Sequence, residues 1–332
     1  MKAAVWKGPE QLDVEDMPIP SVKDPYDVQV KVAACGVCGT DVHMLDGKFP
    51  MFSPPRVIGH EYVGSVSALG SAVTKLTVGD RVAVEQGLTC GRCYYCRDGR
   101  ENLCESRLAH PGGYAEYTCV LERMCHKLPD GLSFEVAALA EPVACALRVL
   151  DIVEIRSGDI ALVQGGGTIG CIMTQLLLHS GVSKVILSEP LAHRRAIAKE
   201  MGAIPVDPKT EDLPAILKRE TEGLGPEYTF DCVGNARLLE QAIELVQKGG
   251  TVCVVGVADP EGVASIRPYR LFEKEVKIMS SLLRPYTFAR AIRWLPHLNL
   301  RPILGVEYPL AETKAAIQAL RQGKGLKILV KP

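Results

Sequence analysis

The sequence lacks the features that mark membrane, secreted or nucleic-acid-binding proteins. No apolar run is long enough to span a membrane, and the apolar stretch at residues 172–178 is interrupted by Thr174 and Gln175. Residues 1–7 have no long apolar core of a signal peptide. The 38 basic and 39 acidic residues leave a formal net charge of −1, so no basic surplus favours nucleic acid or an anionic membrane as a partner. No internal repeat or low-complexity tract interrupts the 332 residues, which are long enough for two domains with separate cores.

What the sequence does contain is a tight group of cysteines. Cys90, Cys93, Cys96 and Cys104 follow a C-x2-C-x2-C-x7-C pattern, in which one loop can wrap a single tetrahedral ion. Ferredoxin clusters also use tight cysteine runs, although with a different fourth spacing, and a disulfide pair is the other alternative. Because sulfur would fill all four positions, the pattern predicts a closed, structural zinc site.

A second set of metal-ligating residues is spread over three segments. Cys38 lies in the run CGVCGTDVH, His60 and Glu61 lie in the run IGHE, and Glu141 lies in the run AEP. One thiolate, one imidazole and up to two carboxylates can leave a coordination position open, as a catalytic zinc requires. Each segment alone is a weak signal, but all three precede a dinucleotide-binding motif.

That motif is the run GGGTIG, which follows the apolar segment 160–164. Gly165, Gly167 and Gly170 permit a tight turn, close approach to a pyrophosphate and close helix–strand packing, and the next helix directs its N-terminus at the negative charge. A second strand, at 184–187, leads to Glu189, about 20 residues past the glycines, where a ribose-binding carboxylate belongs. The alternative is a glycine-rich turn without a nucleotide.

These residues occur in the order and at the separations of a known family. Over essentially its whole length the chain resembles the zinc-dependent medium-chain alcohol and polyol dehydrogenases. It resembles the sorbitol dehydrogenase branch more than the ethanol branch, because Glu61 follows His60 and Glu141 stands where the ethanol enzymes carry a cysteine ligand. The stretch 282–284, Leu-Leu-Arg, departs from the Phe-Arg-Tyr of many sorbitol dehydrogenases, which argues against sorbitol itself but not against the reaction type.

The resemblance implies roles for individual residues. Cys38, His60 and Glu61 would bind the catalytic zinc, and Glu141 would be a fourth ligand or would hold a zinc-bound water. Thr40 and His43 match the proton relay of the family. The glycine motif and the strand and helix that follow it give the expected coenzyme-binding residues, which are Gly165, Gly167, Thr168, Ile169, Gly170, Glu189 and Arg194. The resemblance also implies one catalytic and one structural zinc per chain, and a homodimer or homotetramer.

The order of strand-like and helix-like segments predicts two domains. Short strands of a β-rich domain are expected at 28–34, 61–68 and 81–85. A doubly wound α/β pattern is expected from strands at 162–163, 184–187, 228–232 and 251–257 with helices at 171–179, 194–201 and 238–246. A helix near 310–323 and a strand at 327–330 close the chain. The predicted fold is α/β, with a GroES-like catalytic domain at 1–150 and 283–332 and a Rossmann coenzyme domain at 151–282. By the resemblance, the active cleft lies between them.

The predicted function is reversible hydride transfer between a secondary alcohol and NAD. Zinc would bind the substrate hydroxyl as a Lewis acid, and Thr40 and His43 would carry its proton away. A threonine-type or simple secondary-alcohol dehydrogenase is the alternative enzyme, and a non-enzymatic NAD-binding protein is the alternative class. A zinc-free quinone reductase is disfavoured because both sets of metal ligands are present.

The coenzyme preference depends on three charged residues after the second strand. Glu189 predicts NAD⁺ over NADP⁺, because a carboxylate bonds the ribose hydroxyls and repels a 2′-phosphate. Arg194 and Arg195 are the counter-indication, since arginine can bind that phosphate.

The substrate is expected to be a polyol or vicinal diol oxidised at a secondary carbon. Arg284, Tyr286 and Thr287 would supply hydrogen bonds to a hydrophilic molecule, whereas an apolar one would leave buried polar groups unpaired. The leucines at 282 and 283 could instead line a pocket for plainer alcohols.

The remaining cysteines favour a cytosolic protein. Five of the 12 cysteines are assigned to metal, and most of the others have apolar neighbours in sequence and are expected to be buried, reduced thiols. These are Cys35, Cys119, Cys125, Cys145, Cys171, Cys232 and Cys253.

Overall fold

The computed structural model describes residues 1–49, 51–87, 89–107 and 111–332. Numbered in chain order, the strands are β1 (Lys2–Gly8), β2 (Gln11–Asp16), β3 (Asp27–Gly36), β4 (Arg56–Val57), β5 (Glu61–Leu69), β6 (Arg81–Glu85), β7 (Tyr117–Leu121), β8 (Cys125–Lys127), β9 (Ile160–Gln164), β10 (Lys184–Ser188), β11 (Ile204–Val206), β12 (Tyr228–Asp231), β13 (Thr251–Val254), β14 (Lys277–Ser280), β15 (Leu304–Pro309) and β16 (Lys327–Lys331). The α-helices are α1 (Gly39–Leu45), α2 (Tyr94–Arg97), α3 (Phe134–Ala137), α4 (Ala140–Val153), α5 (Thr168–His179), α6 (Ala192–Glu200), α7 (Leu213–Glu220), α8 (Ala236–Leu245), α9 (Pro268–Lys274), α10 (Phe288–Trp294) and α11 (Thr313–Arg321).

The chain divides into two compact units. One comprises Met1–Ala144 and Pro285–Pro332, and the other comprises Cys145–Arg284. None of the helices in the described ranges has the length and apolarity needed to cross a membrane.

The first unit is built on antiparallel strands. Its larger sheet has the order β15-β16-β3-β5-β6-β8, with β7 also pairing with β3, and a smaller sheet has the order β2-β1-β4. Alternating apolar residues on β3 and β5 point into one core, which includes Val30, Val32, Tyr62 and Val66. This arrangement brings the end of β3, the start of β5 and the start of β16 side by side.

The second unit is a doubly wound parallel sheet. Its order is β11-β10-β9-β12-β13-β14, so the chain runs outward in one direction from β9 and in the other from β12. The central strands β9 and β10 are almost wholly buried, as expected of parallel strands covered on both faces. The switch of direction between β9 and β12 places a crevice at the carboxyl ends of these strands, where such sheets bind ligands.

The predicted fold class is confirmed, and most elements differ from their predicted bounds by a few residues. Strand β13 ends at Val254, three residues early, because the main-chain N–H groups of Val255 and Gly256 bond to the carbonyl of Asp231 in a turn. The helix expected near 310–323 begins with a 3-10 turn, and α11 proper starts at Thr313.

Candidate functional site

Cys38 stands at the start of α1, where an acidic residue fixes its backbone. The Asp41 carboxylate accepts a hydrogen bond from the Cys38 N–H at 2.9 Å, in the manner of an N-terminal capping box. The same oxygen accepts a bond from the Tyr114 hydroxyl at 2.8 Å, and Asp41 is fully buried. This helix start therefore holds the Cys38 thiol in place, and Asp41 has a role that the sequence left unassigned.

His60 and Glu61 are placed by the turn that leads into β5. Gly59 has φ +90°, and a Cβ there would collide with the Cys35 sulfur and the Tyr114 ring, so glycine is required before His60. Glu61 then pairs with the last residue of β3, two residues before Cys38. The sheet register thus brings together residues that lie 22 and 23 positions apart in the sequence (60 − 38 and 61 − 38).

Cys38, His60 and Glu61 form a group able to hold a metal ion. Each offers one ligand atom, and these atoms all lie within 4.8 Å of one another. Burial alone would lower the pKa of His60, but the Cys38 sulfur and the carboxylates of Asp41 and Glu141 raise it to about 10. Among the described residues, the buried Asp41 Oδ1 has no hydrogen-bond partner, although it lies 3.9 Å from His60 Nδ1. This negative environment favours a bound cation. The thiolate, imidazole and carboxylate of the three residues are ligands that suit zinc.

A buried lysine, which sequence reasoning missed, belongs to the same group. Lys327 Nζ donates to Glu61 Oε2 at 2.5 Å and to the Val37 carbonyl at 3.1 Å, and both charged side chains are almost fully buried. Burial disfavours the charged ammonium, but the negative charges of Glu61 and Cys38 outweigh it and raise the pKa of Lys327. Burial likewise raises the pKa of Glu61, although Lys327 opposes the increase.

The other predicted active-site residues lie around this group. Glu141 is buried in the first turn of α4 and lies outside the three-residue group, but its charge acts on His60 and Lys327. Thr40 Oγ1 lies 3.7 Å from Cys38 Sγ. Thr40 and His43 are three residues apart on α1, so their side chains share one face of that helix.

The four lobe cysteines converge on one point. Their sulfur atoms all lie within 4.8 Å of one another, and Cys90 Sγ is 3.5 Å from Cys104 Sγ and 3.9 Å from Cys96 Sγ. Two sulfurs bound to one tetrahedral zinc are about 3.8 Å apart, whereas a disulfide requires about 2.05 Å. All four are free thiols, and bonds from the N–H groups of Arg92 and Cys93 lower the pKa of Cys90. The geometry therefore suits a closed tetrahedral site.

In the second unit, the glycine loop follows β9 at the crevice. Gly165 has φ +98°, and a Cβ on Gly170 would collide with the Gly165 carbonyl, so both positions require glycine. A Cβ on Gly167 would meet nothing within 4 Å, which leaves room for a ligand at the start of α5. Thr168 and Ile169 form the first turn of that helix and are half-buried.

Glu189 lies directly beside this loop. Its carboxylate accepts bonds from the N–H groups of Gly166 at 2.8 Å and Leu191 at 2.9 Å, which leaves further lone pairs for a hydroxyl. Arg195 is engaged by the Glu189 carbonyl at 2.8 Å and by Asp207 at 2.9 Å. Arg194 is half-buried, and its Nε has no hydrogen-bond partner within the described part of the chain.

One residue of the segment 284–287, which was expected to contact the substrate, has a different role in the structure. Thr287 is buried, and its hydroxyl donates to the Ala144 carbonyl at 2.8 Å, so it anchors the start of α10 rather than offering a bond to substrate. Arg284 is buried, whereas Tyr286 is 63% exposed. Leu283 and Tyr286 have φ values of 59° and 61°, which side-chain-bearing residues rarely adopt.

The remaining thiols are less uniformly buried than expected. Cys35, Cys171 and Cys253 are buried, whereas the others are half-buried, and none of them forms a disulfide. The half-buried ones are Cys119, Cys125, Cys145 and Cys232.

Comparison with known proteins gives two family matches and many similar chains. The family model "Alcohol dehydrogenase GroES-like domain" matches residues 24–130, and "Zinc-binding dehydrogenase" matches residues 168–296. The sorbitol dehydrogenase of Bacillus subtilis is 30% identical, over 100% of this chain and 97% of its own length. An L-threonine 3-dehydrogenase from Caldanaerobacter subterraneus is 31% identical, over 97% of this chain and 96% of its own.

Among solved structures, a zinc-binding dehydrogenase from Sinorhizobium meliloti bound to NADP aligns with a TM-score of 0.94. It is 33% identical, and the alignment covers 100% of this chain and 99% of that one.

Proposed function

The chain belongs to the zinc-dependent medium-chain alcohol and polyol dehydrogenases, and we propose that it transfers hydride between NAD and a secondary alcohol that is a polyol or vicinal diol. The observation that carries this proposal is the convergence of Cys38, His60 and Glu61 within 4.8 Å, with Glu61 buried, the other two half-buried, and negative charges acting on His60. Sorbitol dehydrogenase among the relatives supports the substrate class.

We assign the catalytic metal to this group and the structural metal to the lobe cysteines. A zinc ion held by Cys38, His60 and Glu61 would supply Lewis-acid stabilisation of the substrate alkoxide. Asp41 holds the Cys38 backbone, and its second oxygen lies 3.9 Å from His60 Nδ1, which makes Nε2 the candidate ligand atom of the ring. Glu141 adds negative charge to the site and is a candidate to hold a water there.

Proton removal is assigned to two half-buried residues of α1. Thr40 Oγ1, next to the Cys38 sulfur, accepts the hydroxyl proton of the substrate as it gives up its own hydroxyl proton in the direction of His43. His43, on the same helix face, passes the proton to solvent, because imidazole exchanges protons readily near neutral pH.

In the second unit, we propose that the coenzyme pyrophosphate lies over the open face of Gly167 at the start of α5. Thr168, Ile169 and the flanking glycines form the binding site for the pyrophosphate. The Glu189 carboxylate accepts hydrogen bonds from the ribose hydroxyls. NAD is preferred because the Glu189 carboxylate beside Gly166 repels a 2′-phosphate. Arg195 is engaged elsewhere, so of the two arginines described on α6 Arg194 is the one left to favour a 2′-phosphate such as that in the NADP-bound relative.

We further propose that the chain forms a homodimer or homotetramer through the edge of its parallel sheet. Strand β14 is the last strand of that sheet, Ile278 on it is 40% exposed, and Phe272 on the adjoining α9 is 80% exposed. An uncovered sheet edge with apolar side chains favours pairing with a second copy. Light scattering on the wild type and on Ile278→Lys tests this, with a smaller particle expected for the variant.

Two further assignments complete the proposal. We propose a catalytic domain at 1–150 and 283–332 and a coenzyme domain at 151–282. The division of the fold into 1–144 with 285–332 and 145–284 supports this order of domains, with slightly different bounds. A cytosolic location is supported by the free state of all 12 cysteines, which a reducing compartment preserves.

A substrate panel with purified enzyme and NAD⁺, read by NADH absorbance, tests the function. Sugar alcohols and 2,3-butanediol should exceed threonine and simple secondary alcohols in kcat/KM by at least about tenfold, or about 1.4 kcal/mol in the barrier. The threonine dehydrogenase among the relatives makes threonine the main competitor. If threonine leads, the polyol assignment fails and the dehydrogenase assignment stands.

A further inference from the structure

Glu61 is shared between the candidate metal site and a buried ammonium group. Its Oε2 accepts a bond from Lys327 at 2.5 Å, and one of its oxygens also lies within the group of ligand atoms formed with Cys38 and His60. The two charged side chains are only 1% and 3% exposed, so water does not screen their interaction.

The backbone around this pair is shaped for it. A Cβ on Gly36 would collide with Glu61 Oε2, so the carboxylate lies flat against a stretch of β3 that only glycine leaves open. The second bond of Lys327, to the Val37 carbonyl at 3.1 Å, fixes the ammonium group from the residue that follows β3. The position of Lys327 is therefore determined by strand pairing of β16 with β3, independently of any metal.

Two cations that approach the same carboxylate oppose each other. An ammonium ion and a divalent metal repel, and a carboxylate oxygen that already accepts a hydrogen bond from an ammonium group attracts a metal cation less strongly. Without a metal, Lys327 compensates the buried charge of Glu61, which would otherwise be costly. With a metal bound, both the metal ion and the Lys327 ammonium group compensate the charge of Glu61.

We propose that Lys327 is a positioning residue that weakens Glu61 as a zinc ligand. A substrate hydroxyl could then replace Glu61 on the catalytic zinc. This inference rests on the proposed function, in which Cys38, His60 and Glu61 hold the catalytic zinc. Its consequence is opposite to that of an ordinary supporting residue, because removing Lys327 should tighten zinc binding rather than loosen it.

The test is zinc release from the purified holoenzyme into a chelator, with Lys327→Met compared with wild type. Release from the catalytic site should slow and the zinc dissociation constant should fall by about tenfold, which corresponds to about 1.4 kcal/mol. Release from the lobe cysteines should not change. Lys327→Arg retains the positive charge and should behave like the wild type. In cobalt-substituted protein, the visible absorption of Lys327→Met should shift, because Glu61 becomes a stronger ligand.

If Lys327→Met folds poorly without metal, a double variant provides a second comparison. Glu61→Gln with Lys327→Met removes both charges, so it should fold without zinc and should lose the tightening. Zinc binding in Lys327→Met that equals or is weaker than in the wild type overturns the proposal. Failure of the proposed function looks different, since wild-type protein would then bind a single zinc that Cys38→Ser does not remove.

Discussion

Asp41 Oδ1 lies 3.9 Å from His60 Nδ1 in a fully buried position, and it has no hydrogen-bond partner in the described part of the chain. Its other oxygen is engaged by the Cys38 N–H and the Tyr114 hydroxyl. One carboxylate thus connects two of the three candidate zinc ligands. A small movement of the ring would complete a hydrogen bond that fixes the tautomer of His60.

Replacing Asp41 with Asn should weaken zinc binding at the catalytic site. The amide retains the shape of the side chain but removes the charge that favours a cation, so zinc affinity and kcat should fall by about 10- to 100-fold. Metal content after dialysis and steady-state rates measure this effect. Asp130→Asn, at an exposed position, is the matched control. Unchanged zinc affinity in Asp41→Asn would show that the Asp41 charge does not act on the metal.

Replacing Cys38 with Ser should remove one zinc per chain and nearly all turnover while the fold persists. A soft thiolate is exchanged for a poor neutral ligand, whereas the lobe site is untouched. Elemental analysis and circular dichroism measure the two outcomes. Cys119→Ser, at a half-buried thiol outside both groups, should keep full metal content and activity. Near-normal activity with full metal content in Cys38→Ser would falsify this assignment.

Replacing Cys104 with Ser should act mainly on stability. The lobe site closes its own loop, so its loss should lower the melting temperature, and a chelator should reproduce the effect in the wild type. Activity per folded molecule should fall less than in Cys38→Ser. Disulfides among the four lobe cysteines in metal-replete protein would contradict a zinc site there.

The parts of the site that the sequence predicted are those with a local pattern. The lobe cysteines, the glycine loop and the His60–Glu61 pair lie within short runs, where spacing alone restricts geometry. Asp41 also left a local sign, because an acidic residue three positions after a helix-capping residue can accept its N–H.

Lys327 left no such sign. Its bond to Glu61 joins residues 266 positions apart, and it arises because β16 pairs with β3 and β3 pairs with β5. A lysine in a short apolar strand predicts an edge or a solvent-facing side chain unless that pairing is known. Thr287 shows the opposite error. Its hydroxyl was expected to bond the substrate, but it donates to a main-chain carbonyl of α4.

Replacing His43 with Ala should lower the rate most below neutral pH. Solvent must then take the proton directly, which becomes easier as pH rises, so the rate should partly recover in base. The measurement is kcat/KM across pH. His297→Ala, at an exposed position, should leave the profile unchanged. A profile for His43→Ala that coincides with that of the wild type would remove His43 from the relay.

Replacing Glu189 with Gln should shift the coenzyme preference towards NADP⁺. The wild type should favour NAD⁺, because the carboxylate beside Gly166 repels a 2′-phosphate. The amide retains one acceptor oxygen for the loop but removes that repulsion, so the ratio of the two kcat/KM values should change by about tenfold or more. The ratio separates this effect from a general loss of loop structure, which would weaken both coenzymes alike.

The two arginines of α6 should contribute differently to the use of NADP⁺. Arg195 is engaged by the Glu189 carbonyl and Asp207, so Arg195→Ala should affect stability and leave the coenzyme ratio unchanged. Arg194 has its Nε without a partner among the described residues, so Arg194→Ala in the Glu189→Gln background should abolish most of the gained NADP⁺ activity. Equal kcat/KM for NAD⁺ and NADP⁺ in the wild type would contradict the Glu189 assignment, and a gain that survives Arg194→Ala would contradict the role given to Arg194.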